Sequence, residues 1–289
     1  FFLNSVTKAV SATYKTVSIA AKFLIRAAVH KADVPGLRFC LFKNHKTIKM
    51  KKLLFLVVSM ISLGAFAQET KVITDANAVT RSVNGSFTGI SISSGIDVYL
   101  TQGTDESVAV SASEQKYLDR LITEVVNGTL KIYYDNKGVT WKSNGKANLK
   151  AYVSFKALEK LNVAAGSDVN VNGSIKADKL DLRVSSGADF TGAINAKELV
   201  AEVNSGADAK LTGSADKFTV SVSSGASFKG YDFVVDYCDA TASSGGDVHL
   251  TINKELVAKA SSGGDIQYKG AGLISDIKTS SGGGVKKVK

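Results

Sequence analysis

Between Leu180 and Thr191 apolar and polar side chains alternate with a period of two. Leu180, Leu182 and Val184 are separated by Asp181 and Arg183, Ser185-Ser186-Gly187 intervenes, and Ala188 and Phe190 are then separated by Asp189. This pattern predicts a half-buried strand, a tight turn and a second half-buried strand. The turn phrase recurs as AAGSD (164–168), SSGAD (185–189), NSGAD (204–208), SSGAS (223–227), SSGGD (243–247 and 261–265) and SSGGG (280–284). Its central glycines are Gly166, Gly187, Gly206, Gly225, Gly245, Gly263 and Gly282, spaced by 21, 19, 19, 20, 18 and 19 residues. A bulkier apolar position keeps step at Leu161, Leu180, Leu199, Phe218, Cys238 and Leu256. A unit of about 19 residues cannot bury an apolar face alone, so neighbouring units must stack on a shared core. The expected fold is all-β, a parallel β-helix or β-solenoid with coils of about 19 residues. Six such coils would make a rod segment of roughly 29 Å.

The turn residues fit this architecture. Glycine supplies positive φ or close backbone approach, and the adjacent Ser and Asp are expected to hydrogen-bond turn amides. Residues 68–289 hold no proline, consistent with nearly every N–H entering a ladder. Cys238, in an anchor position, reads as a small buried apolar group. Residues 81–160 form a related but less regular N-terminal β section, continuous with the repeats at 161–289. There SISSGIDVYLTQG (91–103) carries the turn phrase on Gly95, flanked by Ile90, Ile92, Ile96, Val98 and Leu100. SEQKYLDRL (113–121), opening on Ser113, is the one short helix expected. EVVNGTLKIYY (124–134) predicts a hairpin on Asn127-Gly128, and Asn84 and Asn172, each also followed by glycine, read as turns rather than glycosylation sites. Segment 135–148, with Trp141, is the most irregular. Lys286, Lys287 and Lys289 fall on the last coil, where they discourage edge-to-edge aggregation.

Charge changes the picture only at the N-terminus. The formal net charge is +10, but residues 1–67 hold 11 of the 36 Lys+Arg and only Asp33 of the 26 acidic residues, leaving 25 against 25 for the remainder. A neutral body without aromatic residues interleaved among basic ones speaks against nucleic acid as a partner. MKKLLFLVVSMISLGAFAQ (50–68) has a basic start, an apolar stretch and small residues at Ala65 and Ala67. That is the anatomy of a secretory signal peptide over 50–67, cleaved between Ala67 and Gln68. The stretch is shorter than the ~20 residues a bilayer requires, so no transmembrane anchor is expected after cleavage. Export places the protein in the periplasm, on the outer cell surface or outside the cell. Residues 1–49 begin with Phe1 and are basic, and read as an over-extended, unstructured reading frame ahead of a start at Met50; residues 68–80 read as a linker.

Candidate chemistry is sparse. Beyond residue 67 the only cysteine is Cys238 and the only histidine His249, so no internal disulfide or cysteine- or histidine-based zinc site is expected. Stacking should bring Asp168, Asp189, Asp208, Asp247 and Asp265 into one outward file interrupted by Ser227, with neighbours ~5 Å apart. Such a row is a candidate surface ligand site and on a sharper reading a Ca²⁺ site. The calcium-binding nonapeptide pattern, however, has two glycine-rich corners per unit where these have one. A nearby file of Ser185, Thr219, Ser221 and Thr241 reads as solvated strand surface. Arg183 is the only arginine in the repeats, carboxylates are periodic rather than gathered, and no phosphate loop or nucleophile elbow appears. No catalytic residue, metal or cofactor is assigned.

Taken together, MKKLLFLVVSMISLGAFAQ, FTGISISSGIDVYLTQG (87–103), LITEVVNGTLKIYY (121–134) and the serial SGAD/SGGD corners resemble the head GIN domain family of exported bacterial proteins, common in Bacteroidota, over about residues 78–284. The family carries a domain-of-unknown-function label and is described as adhesin-like and of autotransporter type. The resemblance implies a β-helical superhelix and an adhesion or surface-binding role, and carries over no catalytic residues. The expected function is that of an exported, non-enzymatic β-solenoid binding a cell-surface glycan, a protein or another copy of itself. A polysaccharide-acting β-helix enzyme using Asp247 or His249 and a structural envelope protein are the alternatives.

Overall fold

A computed structural model describes residues 75–137 and 147–289. The expected signal segment with Ala67 and Gln68, residues 1–49 and Trp141 lie outside the described residues. In the C-terminal half, five long strands stack in parallel and in chain order: β9 (Asp168–Ser185), β10 (Asp189–Asn204), β11 (Asp208–Ser223), β12 (Ser227–Ser243) and β13 (Asp247–Ser261). The next coil is split into β14 (Asp265–Lys269) and β15 (Leu273–Ser280), and β16 (Gly284–Lys287) lies on β14. This is the predicted parallel β-solenoid. Each long strand bends midway, so every coil has a first limb after its glycine turn and a second limb before the next.

Register carries the core. Leu180, Leu199, Phe218, Cys238, Leu256 and Ile274 are successive partners on adjacent coils. Leu161 departs from the expected series and pairs with Leu182, not Leu180. The 21-residue first spacing accounts for this. Asp168 and Asp189 pair 21 apart, Ser174 and Ala193 only 19 apart, so two residues bulge from β9 within Val171–Gly173. The shift is even, so the apolar side chains keep to the inside. Asn172 therefore sits in this bulge within a strand and not in a free turn. Cys238 is 5% exposed, and burial pushes its thiol well above the usual range. Its labelling by a thiol reagent should be slower in the native protein than in urea by on the order of 100-fold; comparable rates would place it outside the core.

The turns are type I′. Ser186 (φ 56°) and Gly187 (φ 66°) are both left-handed, and Ala188 N–H donates to Ser185 O at 3.3 Å. All eight turn glycines named from the sequence have φ between 66° and 77°. The serine before each repeat glycine from Ser186 to Ser281 shares that region, at 48° to 58°, a demand on a non-glycine residue that sequence inspection passes over. The turn amides are satisfied differently from expectation. Gly187 N–H donates to Ser205 O of the next coil at 3.1 Å, and this backbone link repeats from coil to coil. Stacked identical turns align amides with carbonyls, so Asp and Ser side chains are not needed for the purpose. The Ser167 hydroxyl, which accepts from Ile96 N–H at 3.3 Å, is an exception.

The N-terminal section joins the same stack out of chain order. β2 (Gly89–Ile92) and β3 (Asp97–Gln102) pair with β8 (Lys160–Val163) and β9. On their far side lie β6 (Thr129–Tyr134) and β7 (Lys150–Phe155), which come later in the chain. Antiparallel strands then line this end: β4 (Ser107–Ser111) on β7, β1 (Val79–Arg81) on β4, and β5 (Leu121–Val126) on β6. The β5–β6 hairpin turns on Asn127-Gly128 as predicted, both at positive φ. The expected helix contracts to α1 (Gln115–Leu118), preceded by Glu114 rather than capped by Ser113. It buries Tyr117 and Leu118, and Leu121 already belongs to β5, so strand pairing takes the turn a longer helix would need.

Candidate functional site

The described surface offers two outward faces, one on each limb. On the first limb Asp168, Asp189, Asp208, Ser227, Asp247 and Asp265 are consecutive register partners, in the predicted file. Asp97 heads it, paired with Asp168, and was not foreseen because its coil belongs to the irregular section. Lys229 Nζ lies 3.0 Å from Asp208 Oδ1. Among the described residues no group of three His, Cys, Asp or Glu is placed to hold a metal ion. Burial, then the charges of Asp189 and Asp97, raise the Asp168 carboxyl above its ordinary value. A raised folded-state value means the ionised group opposes folding at neutral pH and ceases to as pH falls through it. Asp168→Asn should therefore stabilise the protein slightly at pH 7, by no more than ~0.3 kcal/mol, because solvent screens an exposed carboxylate from its like-charged neighbours. The gain should fade as the pH falls through the ordinary carboxylate range, where the group takes up its proton in the folded and unfolded chain alike. Thermal melts at pH 7 and pH 4 test this; a loss of stability at pH 7 would mean that the carboxylate makes a favourable contact.

His249 lies on the same face, two residues beyond Asp247. Its ring stacks on Tyr231 at 4.8 Å with planes 2° apart, and Tyr231 donates its hydroxyl to Gln267 Oε1 at 3.1 Å. Tyr231 leaves the ladder in a bulge of β12 between Gly230 and Val234, and Lys269 Nζ lies 5.2 Å from its ring centre. The imidazole is held by stacking rather than by a carboxylate.

The second limb bears a different arrangement. Lys131 (β6), Ser91 (β2), Asn162 (β8), Arg183 (β9) and Glu202 (β10) form one outward column on five adjacent strands. Here the floor is short side chains: Asn162 Nδ2 donates to Ser91 Oγ at 3.4 Å. Arg183 bridges to Glu202 at 3.2 Å and to Asp181 at 3.4 Å, and Asn204 Nδ2 donates to Glu202 Oε1 at 3.1 Å. Lys160 stands one column away, and the hairpin tip at Val126 and Asn127 makes one wall of an open trough of about 780 Å³. Sequence reasoning dismissed Arg183 and missed Lys131, Lys160 and Asn162. Lys131 reaches the trough only because β6 stacks outside β2, which no repeat spacing announces. The expected Ser/Thr file resolves into three columns: Ser185 with Asn204, Ser221 with Thr241, and Thr219 with Asp239.

A solenoid with serial type I′ turns and dispersed polar files is the architecture to compare with known proteins. Residues 86–272 match the family model described as "Putative auto-transporter adhesin, head GIN domain". The chain belongs to this family. Neighbours of known structure share the fold of this head GIN chain. A "putative adhesin" from Bacteroides fragilis superposes with TM-score 0.66 at 17% identity, covering 74% of this chain and 98% of its own. A "putative adhesin" from Parabacteroides distasonis gives 0.57 at 18%, covering 73% and 95%. A "putative lipid binding protein" from the same species gives 0.55 at 21%, covering 74% and 98%. At these identities the likeness is one of fold. No curated protein matches. Among the described residues no helix is long and apolar enough to cross a membrane.

Proposed function

We propose that this head GIN protein is an exported, non-enzymatic surface-binding module that recognises a cell-surface glycan or protein along its solenoid. The observation that carries the proposal is the form of the outer surface. Polar side chains line up in files over successive coils, giving a long, ordered face suited to an extended partner, while among the described residues titratable groups are dispersed and not gathered around a reacting centre. The sequence at 50–67, with its cleavage point between Ala67 and Gln68, supports export to the periplasm or beyond. The family description and the names of structural neighbours agree with an adhesive role in outline.

Incubating the purified mature protein with cell-envelope and host cell-surface glycan preparations tests this. Saturable retention with no new reducing ends is expected; retention absent from every preparation, or release of products, overturns the proposal. Protease shaving of intact producing cells reports the compartment, with loss of the protein expected if it faces outward.

A further inference from the structure

The geometry points to a more specific ligand: we infer that the second-limb trough binds an anionic glycan, one bearing carboxylates or sulfates. This rests on the surface-binding reading above and names its site and chemistry. Three cationic side chains, Lys131, Lys160 and Arg183, converge on a floor of short hydrogen-bonding groups at Ser91 and Asn162. Arg183 is held in place by Glu202 and Asp181. Lys131 and Lys160 form no ion pair among the described residues, unlike Lys179, Lys197, Lys229 and Lys254, which each lie within 3.0 Å of a carboxylate on an adjacent coil. Lys131 stands beside Glu124 and Lys160 beside Asp181 in register, yet neither lysine closes to an ion pair, so both ammonium groups remain available to a bound anion.

The dimensions favour a polymer. Five strands from β6 to β10 at ~4.8 Å give a floor of roughly 19 Å, and three columns at about 6.6 Å give a width of roughly 13 Å. The trough is open at the surface, so a chain can lie along it without threading. Hydroxyl and amide groups on the floor match sugar hydroxyls, and cations on the walls match acidic substituents. An acyl chain would find little there: of the apolar residues around the trough, Ile90 is fully buried beneath the floor and Val126 belongs to the hairpin wall. An anionic lipid surface is therefore an outcome for the test to exclude and is not the proposed ligand.

Polygalacturonate oligomers serve as the carboxylated probe, dextran as the neutral one and phosphatidylglycerol vesicles as the lipid arm. Binding is measured with the full mature protein, the Lys131→Gln/Lys160→Gln variant, and Lys176→Gln/Lys210→Gln, which removes the same charge away from the trough. Far-UV circular dichroism verifies the fold of each. Expected are saturable, salt-weakened binding of polygalacturonate, none of dextran, and at least a tenfold loss of affinity in the trough variant against less than twofold in the other. Equal losses in both variants, no polygalacturonate binding, or a preference for the vesicles would overturn the assignment. If the trough variant and the parent are retained equally on cell-surface preparations, the trough assignment fails while the surface-binding role stands; if neither is retained, the broader reading fails.

Discussion

Gly213→Ala will destabilise the protein by about 3–5 kcal/mol, combining backbone strain with overpacking. Gly213 lies in the bend of β11 at φ +105°, a region closed to residues with a side chain. A Cβ built there would fall 2.2 Å from the carbonyl oxygen of Ile194 on the preceding coil. The obstacle is backbone, and that backbone is fixed by the ladder between β10 and β11, so neither partner can yield cheaply. Gly187→Ala is the informative comparison. Its φ is +66° and its Cβ would meet nothing within 4 Å, so the cost is that of a left-handed alanine alone, about 1 kcal/mol. Urea unfolding of both variants, with hydrogen exchange to localise the change, should separate them. Equal effects would mean that the close approach of coils at Gly213 is not maintained. In a stacked-repeat protein the damage should centre on β10 and β11.

Phe218→Ala will cost about 3–5 kcal/mol, the range for emptying a large aromatic site in a packed core. Phe218 is 2% exposed and sits in the anchor column between Leu199 and Cys238. Its ring lies 5.2 Å from that of Phe228 and meets Phe233 edge-on at 5.4 Å with planes 74° apart. Those two rings reach it from β12, Phe233 by way of the bulge that also releases Tyr231 to the surface. Removing the ring therefore leaves a hole faced by two aromatic side chains tied to separate parts of one strand, which limits collapse. Phe218→Leu should recover most of the loss, to within about 1.5 kcal/mol of the parent. A drop below about 1 kcal/mol for Phe218→Ala would show that the coils close over the gap.

The two substitutions differ in how visible their causes are in the sequence. Phe218 announces itself by keeping phase with Leu199 and Leu256, because a period-two strand inside a 19-residue repeat puts every such residue on the core side. Gly213 carries no such mark: it lies outside the turn phrase, and its necessity arises from how near β10 passes. Tyr231 and His249 follow the same division. The alternation places His249 on the outer face, but its partner comes from a bulge whose position depends on strand pairing. The helix expected over 113–121 is shortened to α1 for a related reason, since Leu121 is already paired in β5.

What the amino-acid order by itself determined is the coil: the spacing of glycine turns, the inward apolar columns and the aspartate file, all consequences of local periodicity repeated until neighbours must align. The order of the first rungs was decided only in the tertiary structure, where β6 and β7 stack outside β2 and β3 although they follow them in the chain. That inversion brings Lys131 beside Asn162 and Arg183 and creates the trough. It is non-local because a sheet edge selects its next strand by matching hydrogen bonds and buried faces, and sequence separation enters only through the entropy of the connecting loop.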